Sequence, residues 1–194
     1  GRLARAGEAA GAAGLDALLI GVGSDLRYLT GYEAMPLERL TMLVIRPEGD
    51  PSIVVPRLER GAAEAGLQTE LAISTWDETD DPYALGSAGL DGGRVAVSDT
   101  MLAMHLLRLQ ATLGSTTRFE LASLVLRDLR MIKDPDEVAL LRLAANPAAL
   151  RQRLIRLAVA SEFHVSLSRA HTLEVARLVT DWHGQGPLYL PGIT

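Results

Sequence analysis

Histidines near the C-terminus are the side chains whose types and spacing most directly suggest chemistry. His164, His171 and Glu174 lie at i, i+7 and i+10, roughly on one face of a helix, and His183 follows them. Three imidazoles and a carboxylate are a donor set that tetrahedral zinc accepts. The alternative is a group of scattered histidines without a shared ligand, because spacing alone does not define a metal site. We predict no metal site in this chain and keep a hydrolase that uses these histidines as an alternative.

A second group of polar side chains lies near the N-terminus. Residues 24–32 are Ser-Asp-Leu-Arg-Tyr-Leu-Thr-Gly-Tyr, and they follow the apolar run 16–20 across a glycine turn. The run Tyr28–Thr30 predicts a strand, with Asp25 and Arg27 at the edge of a sheet. Much later, residues 129–138 are Leu-Arg-Met-Ile-Lys-Asp-Pro-Asp-Glu-Val, which predicts a strand or loop that leads into a helix.

These two segments, in this order and far apart in the chain, resemble the creatinase/prolidase/aminopeptidase P family of Xaa-Pro peptidases. The family run S-D-x-x-Y-L-T-G-Y/F lies in its N-terminal domain, and the run L-R-x-I-K-x-x-x-E marks the junction to its catalytic domain. The resemblance covers about residues 2–145. It implies an α/β fold of the creatinase N-terminal (ribonuclease H-like) type, which is a mixed sheet with flanking helices.

The resemblance also implies the chemistry of the complete enzyme. Such enzymes hydrolyse the peptide bond next to a proline with two bridged divalent metals, commonly Mn²⁺, which activate a water. The ligand runs of the family, D-x-G…S-D-x-T-R and G-H-G-I-G, do not occur in these 194 residues. We therefore predict no catalytic residue and no cofactor here, with two Mn-type metals implied only for a missing catalytic domain. Whether the chain has enzymatic activity is left open.

Two charged residues acquire a role from the same resemblance. In the family, the N-terminal domain caps a catalytic site, often that of a neighbouring subunit. Asp25 would then pair with the amine of a substrate in trans, and Arg39 would bind its carboxylate through the guanidinium fork. The structural alternative is that Asp25 caps a turn and Arg39 pairs with Glu38 or Glu33. We predict that Asp25 and Arg39 lie near one another on an exposed rim.

Composition limits the partners of this chain. The net charge of −5 disfavours a nucleic-acid partner, and no apolar run approaches the ~20 residues that span a bilayer. The absence of cysteine excludes disulfides and thiolate metal sites. We therefore predict a cytoplasmic protein without nucleic-acid or membrane partners. Its expected partners are a second copy or a catalytic domain, with a proline-containing peptide for the complete enzyme. A free-standing binding or regulatory module of the same fold is the alternative.

Apolar runs bounded by glycine, proline and aspartate predict five strands. Helical segments alternate with them, which indicates an α/β domain. The predicted strands are 16–20, 40–45, 52–55, 71–75 and 94–98, and the predicted helices are 2–14, 58–65, 82–90, 100–113 and 121–129.

The segment after residue 132 begins with the clearest local signal in the chain. Asp134 and Glu137 are spaced as a capping box around Pro135, which predicts a helix start. The predicted organisation is an N-terminal-type domain over residues 1–132, a junction helix over 133–146 and an atypical, mostly helical tail over 147–194. A truncation, a frameshift, a fusion or an assembly artefact would each explain why the tail does not match the family.

Overall fold

Six strands form one mixed sheet in the computed structural model, which describes residues 1–90 and 92–145. The strand order is β4-β3-β2-β1-β5-β6, and only β2 is antiparallel to its neighbours. The predicted mixed sheet is therefore confirmed. The strands are β1 (Ala17–Gly21), β2 (Met42–Ile45), β3 (Ser52–Pro56), β4 (Ala72–Trp76), β5 (Gly93–Val97) and β6 (Thr117–Leu121).

Helices flank the sheet and alternate with the strands along the described chain, as the sequence predicts. A 3-10 turn, Arg57–Glu59, precedes the third of them. The helices are α1 (Arg2–Ala12), α2 (Ser24–Thr30), α3 (Arg60–Gly66), α4 (Pro82–Ser87), α5 (Ala103–Leu113), α6 (Ser123–Met131) and α7 (Pro135–Ala144).

The sheet has a hydrophobic core on each face, because successive side chains of a strand point in opposite directions. Along β1, Leu18 and Ile20 belong to one core, while Ala17 and Leu19 belong to the other. Helices α1, α2, α3 and α6 contribute to the first core, and helices α4 and α5 contribute to the second. The first six helices therefore lie in two layers with the sheet between them.

The direction of each crossover explains which face a helix covers. The α3 connection leads from β3 to β4, towards one edge of the sheet, whereas the α4 and α5 connections lead towards β5 and β6, at the other. Since crossovers between parallel strands are right-handed, opposite directions require opposite faces. The chain therefore places α4 and α5 together, and this pair forms one wall of a cavity described below.

One predicted strand is wrong. Residues 24–30 form helix α2, and the run Tyr28–Thr30 is its last turn. Leu26, Leu29 and Thr30 are buried at i, i+3 and i+4, which is the spacing of one helical face. Gly31 ends the helix at a φ of 78°, a left-handed conformation that glycine adopts without strain. The charged residues of this segment therefore lie on a helix and not at a strand edge.

A second difference concerns the region before and after residue 121. Strand β6 pairs in parallel with β5 at the edge of the sheet, where no strand was predicted. Its sequence, Thr-Arg-Phe-Glu-Leu, alternates polar and apolar residues, but Arg118 and Glu120 make it too polar for a run-based assignment. In the predicted strand or loop before the capped helix, residues 129–131 instead end α6, whereas residues 132–134 form a loop as predicted.

The chain divides into two compact units, residues 1–132 and 133–194. At the start of the second unit the predicted capping box is confirmed. The amide of Glu137 donates to Asp134 Oδ1 at 2.8 Å, and the amide of Asp134 donates to Glu137 Oε2 at 2.9 Å. The predicted helical tail over residues 147–194 lies outside the described residues. No helix within residues 1–90 and 92–145 is long and apolar enough to cross a bilayer.

Candidate functional site

The carboxyl ends of β1 and β5 and the start of β2 lie at one end of the sheet. Gly21 pairs with Met42 in the β1–β2 register, and the Gly21 amide donates to Ser98 Oγ after β5 at 3.0 Å. Asp25 follows Gly21, and Arg39 precedes Met42, so both predicted site residues leave the sheet at this end. Ligands of open α/β sheets commonly bind beyond the carboxyl ends of the strands.

Asp25 lies in the first turn of α2 and is held by the last helix of the same unit. Arg130 Nη1 donates to Asp25 Oδ1 at 2.5 Å and to Ser24 Oγ at 3.2 Å. The Asp25 side chain is 18% exposed. The partner of this carboxylate is therefore the side chain of Arg130 and not a backbone amide, as the turn-capping alternative would require.

Tyr28 connects the same two helices. Its hydroxyl donates to the carbonyl oxygen of Leu129 at 2.9 Å, and the guanidiniums of Arg2 and Arg130 lie 4.6 and 5.9 Å from its ring centroid. The two segments that carry the family resemblance are therefore in direct contact, although they lie far apart in the sequence. This contact gives both segments a structural role.

Arg39 has a different environment. Its Nη2 lies 2.8 Å from Glu78 Oε1, and its side chain is 33% exposed. The predicted pairing with Glu33 or Glu38 is wrong, since Glu33 pairs with Arg27 at 3.2 Å. Arg39 lines a cavity with Trp76 and Tyr83, which belong to the core on the α4–α5 face.

Asp25 and Arg39 have different ion-pair partners, which are Arg130 of α6 and Glu78 of the loop before α4. Their side chains are less exposed than predicted, with 18% and 33% of the surface open to solvent. The prediction that the two residues lie near one another stays a prediction. The predicted contact of either residue with a substrate in trans stays a prediction.

His105 is a buried polar residue that sequence reasoning missed. It lies on α5, and its Nδ1 shares a hydrogen bond with the Tyr83 hydroxyl of α4 over 2.9 Å. Burial lowers the pKa of the His105 imidazole, and the positive charge of Arg108 lowers it further. Burial also raises the pKa of the Tyr83 hydroxyl. His105 lies four residues before the apolar Leu109, so both residues share the buried face of α5. This spacing is the signal in the sequence from which the burial of His105 could have been predicted.

The lowered pKa of His105 predicts a pH-dependent stability. Since the unfolded chain then binds a proton more readily than the folded chain, stability should fall as the pH drops below the ordinary histidine value of about 6.5. We expect His105→Gln to weaken this dependence, measured as the free energy of unfolding in urea between about pH 7.5 and 5.5. His171→Gln is the matched control. Equal slopes for the wild type and His105→Gln would contradict the prediction.

Metal ligands do not cluster in the described part of the chain. Within residues 1–90 and 92–145, no group of three or more histidine, aspartate and glutamate side chains is arranged to hold an ion. The residues 77–81 form an exposed loop rich in acidic side chains, in which Asp81 caps α4 by accepting from the amides of Tyr83 and Ala84. The predicted alternative site of His164, His171, Glu174 and His183 lies outside the described residues.

Comparison with known proteins identifies the first unit. Residues 2–132 match the family described as the creatinase/prolidase N-terminal domain. The chain belongs to this family. The resemblance inferred from residues 24–32 and 129–138 is thereby confirmed. The creatinase/prolidase match ends where α6 ends and therefore takes in both partners of the Asp25–Arg130 ion pair.

Two mycobacterial relatives of this chain are named as dipeptidases. A probable dipeptidase PepE from Mycobacterium tuberculosis is 46% identical over 147 residues, which cover 74% of this chain and 39% of the relative. A crystal structure of the dipeptidase PepE from Mycobacterium ulcerans is 40% identical, with a TM-score of 0.65. That similarity covers 81% of this chain and 43% of the PepE chain. The chain thus spans about two fifths of the length of these relatives.

The C-terminal residues are similar to a different family. Residues 139–194 match the family described as the TilS substrate binding domain. A tRNA(Ile)-lysidine synthase from Leifsonia xyli is 42% identical over 142 residues, which cover 73% of this chain and 33% of the relative. Because that alignment is much longer than the TilS segment, it also includes residues before 139. The tail that departs from the creatinase/prolidase pattern therefore matches a different family model.

Proposed function

We propose that residues 1–132 serve as the non-catalytic N-terminal domain of a metal-dependent Xaa-Pro dipeptidase. The observation that carries this proposal is the match of residues 2–132 to the creatinase/prolidase N-terminal domain, with dipeptidases named PepE among the relatives. The protein would act in the cytoplasm as an oligomer, in which this domain caps the active site of a neighbouring catalytic domain. Metal chemistry would belong to that catalytic domain.

The structure supports different roles for the two predicted site residues, Asp25 and Arg39. Asp25 is mostly buried and holds α6 through Arg130, so its main contribution is to stability. Arg39 is more exposed and pairs with the exposed Glu78. An exposed ion pair of this kind contributes only about 0–1 kcal/mol, so Arg39 can be reoriented towards a substrate at little cost. Arg39 is therefore the better candidate for contact with the carboxylate of a peptide.

This proposal predicts the behaviour of the 194-residue chain and of a chimaera. The chain by itself should not hydrolyse Ala-Pro with Mn²⁺, Co²⁺ or Zn²⁺, because the family's ligand runs are absent from it. A chimaera that joins residues 1–132 to the catalytic part of Mycobacterium tuberculosis PepE should hydrolyse the dipeptide. In this chimaera, Arg39→Ala should raise KM with an unchanged melting temperature. Asp25→Ala should instead lower the free energy of unfolding by about 1–2 kcal/mol, because it removes a partly buried charged hydrogen bond.

The controls separate capping from folding. Glu33→Ala removes an exposed ion pair that lies outside the proposed contact and should change neither quantity. Metal-dependent turnover by the 194-residue chain that His164→Ala or His171→Ala abolishes would favour the hydrolase alternative. An unchanged KM for Arg39→Ala would remove Arg39 from the proposed role, and an inactive chimaera of normal stability would contradict the capping function.

A second candidate function follows from the C-terminal match. We infer that residues 139–194 contribute to binding of tRNA(Ile), because they match a TilS substrate binding domain and a relative is named tRNA(Ile)-lysidine synthase. The charge of the whole chain disfavours a nucleic-acid partner, but this segment has more arginines than acidic residues. A local excess of arginine favours contact with phosphates, which dominate affinity for RNA.

Binding of a tRNA(Ile) transcript tests this candidate directly. We expect the 194-residue chain to bind the transcript in a fluorescence anisotropy titration, with affinity that falls as salt rises. Replacing Arg151, Arg153 and Arg156 by glutamine should weaken binding by about tenfold or more at low salt. The control replaces the exposed Arg57, Arg60 and Arg118 by glutamine, which changes the net charge equally. Equal losses in the two variants would indicate non-specific attraction and would contradict the candidate.

A further inference from the structure

A cavity of about 300 Å³ lies on the α4–α5 face of the sheet. Its walls come from the segment before β2, the end of β4, the start of α4 and the exposed side of α5. This volume is at the lower end of the range for ligand-binding pockets, which suits a small molecule. The residues that decide its chemistry are Glu38, Arg39, Trp76, Asp80, Tyr83 and Arg108.

Two guanidiniums line this cavity. Arg39 forms a 2.8 Å ion pair with Glu78. Arg108 lies over the ring of Tyr83, with 5.8 Å from its Cζ to the ring centroid. Among the described residues, Arg108 is in no ion pair, so its donors are available to a ligand. The planar fork of a guanidinium matches the two oxygens of a carboxylate.

Carboxylates line the same cavity. Glu38 is exposed at its rim. Asp80 uses Oδ2 to accept the amide of Asp77 at 2.8 Å, which leaves its other acceptor positions open. Glu78 is already neutralised by Arg39. The cavity therefore presents acceptors for a cation beside donors for an anion.

The floor of the cavity is aromatic. Trp76 and Tyr83 are both buried, and their polar atoms are already engaged. The Trp76 indole N–H donates to the carbonyl oxygen of Leu40 at 2.9 Å, and the Tyr83 hydroxyl is bonded to His105. The rings therefore offer apolar surface to the cavity, and Met104 adds to it. Such a floor favours an aliphatic group between the charged ends of a ligand.

We propose that this cavity binds the zwitterion of a free α-amino acid. Because Arg39 and Glu78 neutralise each other, a simple anion would meet the carboxylates of Glu38 and Asp80, and a simple cation would meet the guanidinium of Arg108. A zwitterion satisfies both sets, with its carboxylate on Arg108, its ammonium group on Glu38 or Asp80 and its side chain on the aromatic floor. Arg39 also lines this cavity, but the ligand carboxylate is assigned to Arg108, so the binding tests below can fail without failure of the proposed dipeptidase function.

The fluorescence of Trp76 tests the proposal in the full chain. The chain has two tryptophans, so Trp182→Phe leaves Trp76 as the reporter in the cavity. L-leucine should produce a saturable change in emission. N-acetyl-L-leucine, which lacks the ammonium group, and L-leucine methyl ester, which lacks the carboxylate, should each bind at least about tenfold more weakly. Equal binding of leucine and N-acetyl-leucine, or no saturable change with leucine, would overturn the proposal.

Matched variants locate the binding. Arg108→Gln should weaken leucine binding by about tenfold, because it removes the charged partner of the carboxylate. Glu38→Gln should weaken it less if Asp80 shares the ammonium group. Arg118→Gln, which changes an exposed arginine on the edge strand β6, should leave affinity unchanged. Unchanged melting temperatures would show that all three variants fold. A loss with Arg118→Gln equal to that with Arg108→Gln would place binding elsewhere and overturn the assignment.

Discussion

Replacing Leu18 with alanine is expected to lower the free energy of unfolding of residues 1–132 by about 3–5 kcal/mol. Leu18 is fully buried at the centre of the sheet, between Ile45 of β2 and Ala96 of β5. The truncation removes apolar contacts and leaves a cavity between the sheet and the helices of the first core, which the surrounding side chains fill only in part. Urea unfolding followed by circular dichroism measures the loss.

The matched control for this change is Leu107→Ala. Leu107 lies on α5 and is 63% exposed, so the same truncation there should cost less than about 1 kcal/mol. A loss at Leu18 no greater than the loss at Leu107 would contradict the central position of β1. Because β1 contributes alternate residues to both cores, Leu18→Ala should destabilise the two faces of the sheet together. Urea should therefore unfold both faces in a single transition.

Replacing Trp76 with alanine is expected to cost about 3–5 kcal/mol. Trp76 ends β4, is 8% exposed and belongs to the core on the α4–α5 face. The change removes the apolar contacts of the indole and leaves the Leu40 carbonyl oxygen without the N–H that it accepts at 2.9 Å.

Trp76→Phe separates the two contributions. Phenylalanine keeps most of the apolar area but has no N–H, so the expected loss is about 1–2 kcal/mol from the carbonyl oxygen alone. Thermal and urea unfolding of both variants at one pH measure the difference. Equal losses for alanine and phenylalanine would show that the hydrogen bond dominates and would contradict the packing role given to the indole.

Much of this fold could be predicted because the strands are short apolar runs between glycine, proline and aspartate. The runs at 52–55 and 94–98, for example, became β3 and β5 with shifts of one residue at an end. The edge strand β6 could not be predicted from an apolar run, because a strand with one side open to water can carry charged residues such as Arg118 and Glu120. Helix α2 was not predicted, because seven residues are too few to distinguish a helical face from a strand by pattern alone.

The candidate site was less predictable for a different reason. Asp25 and Arg39 both leave the sheet at one end, but the sequence did not predict their partners. Arg130, Glu78 and Arg108 lie far from them in sequence, and an ion pair between distant segments leaves no periodic signal. The Tyr83–His105 pair is similar, since α4 and α5 become neighbours only through the handedness of their crossovers.

The contact between Asp25 and Arg130 has a consequence for the order in which the chain acquires its structure. The two residues are 105 positions apart, so a loop of nearly the whole unit must close before they meet. During synthesis on a ribosome, all six strands are made before Arg130 is added. Helix α2 is made early, but Arg130, which holds it through Asp25, is made late. The segment that carries the family motif is therefore expected to be among the last parts of the nascent chain to become fixed.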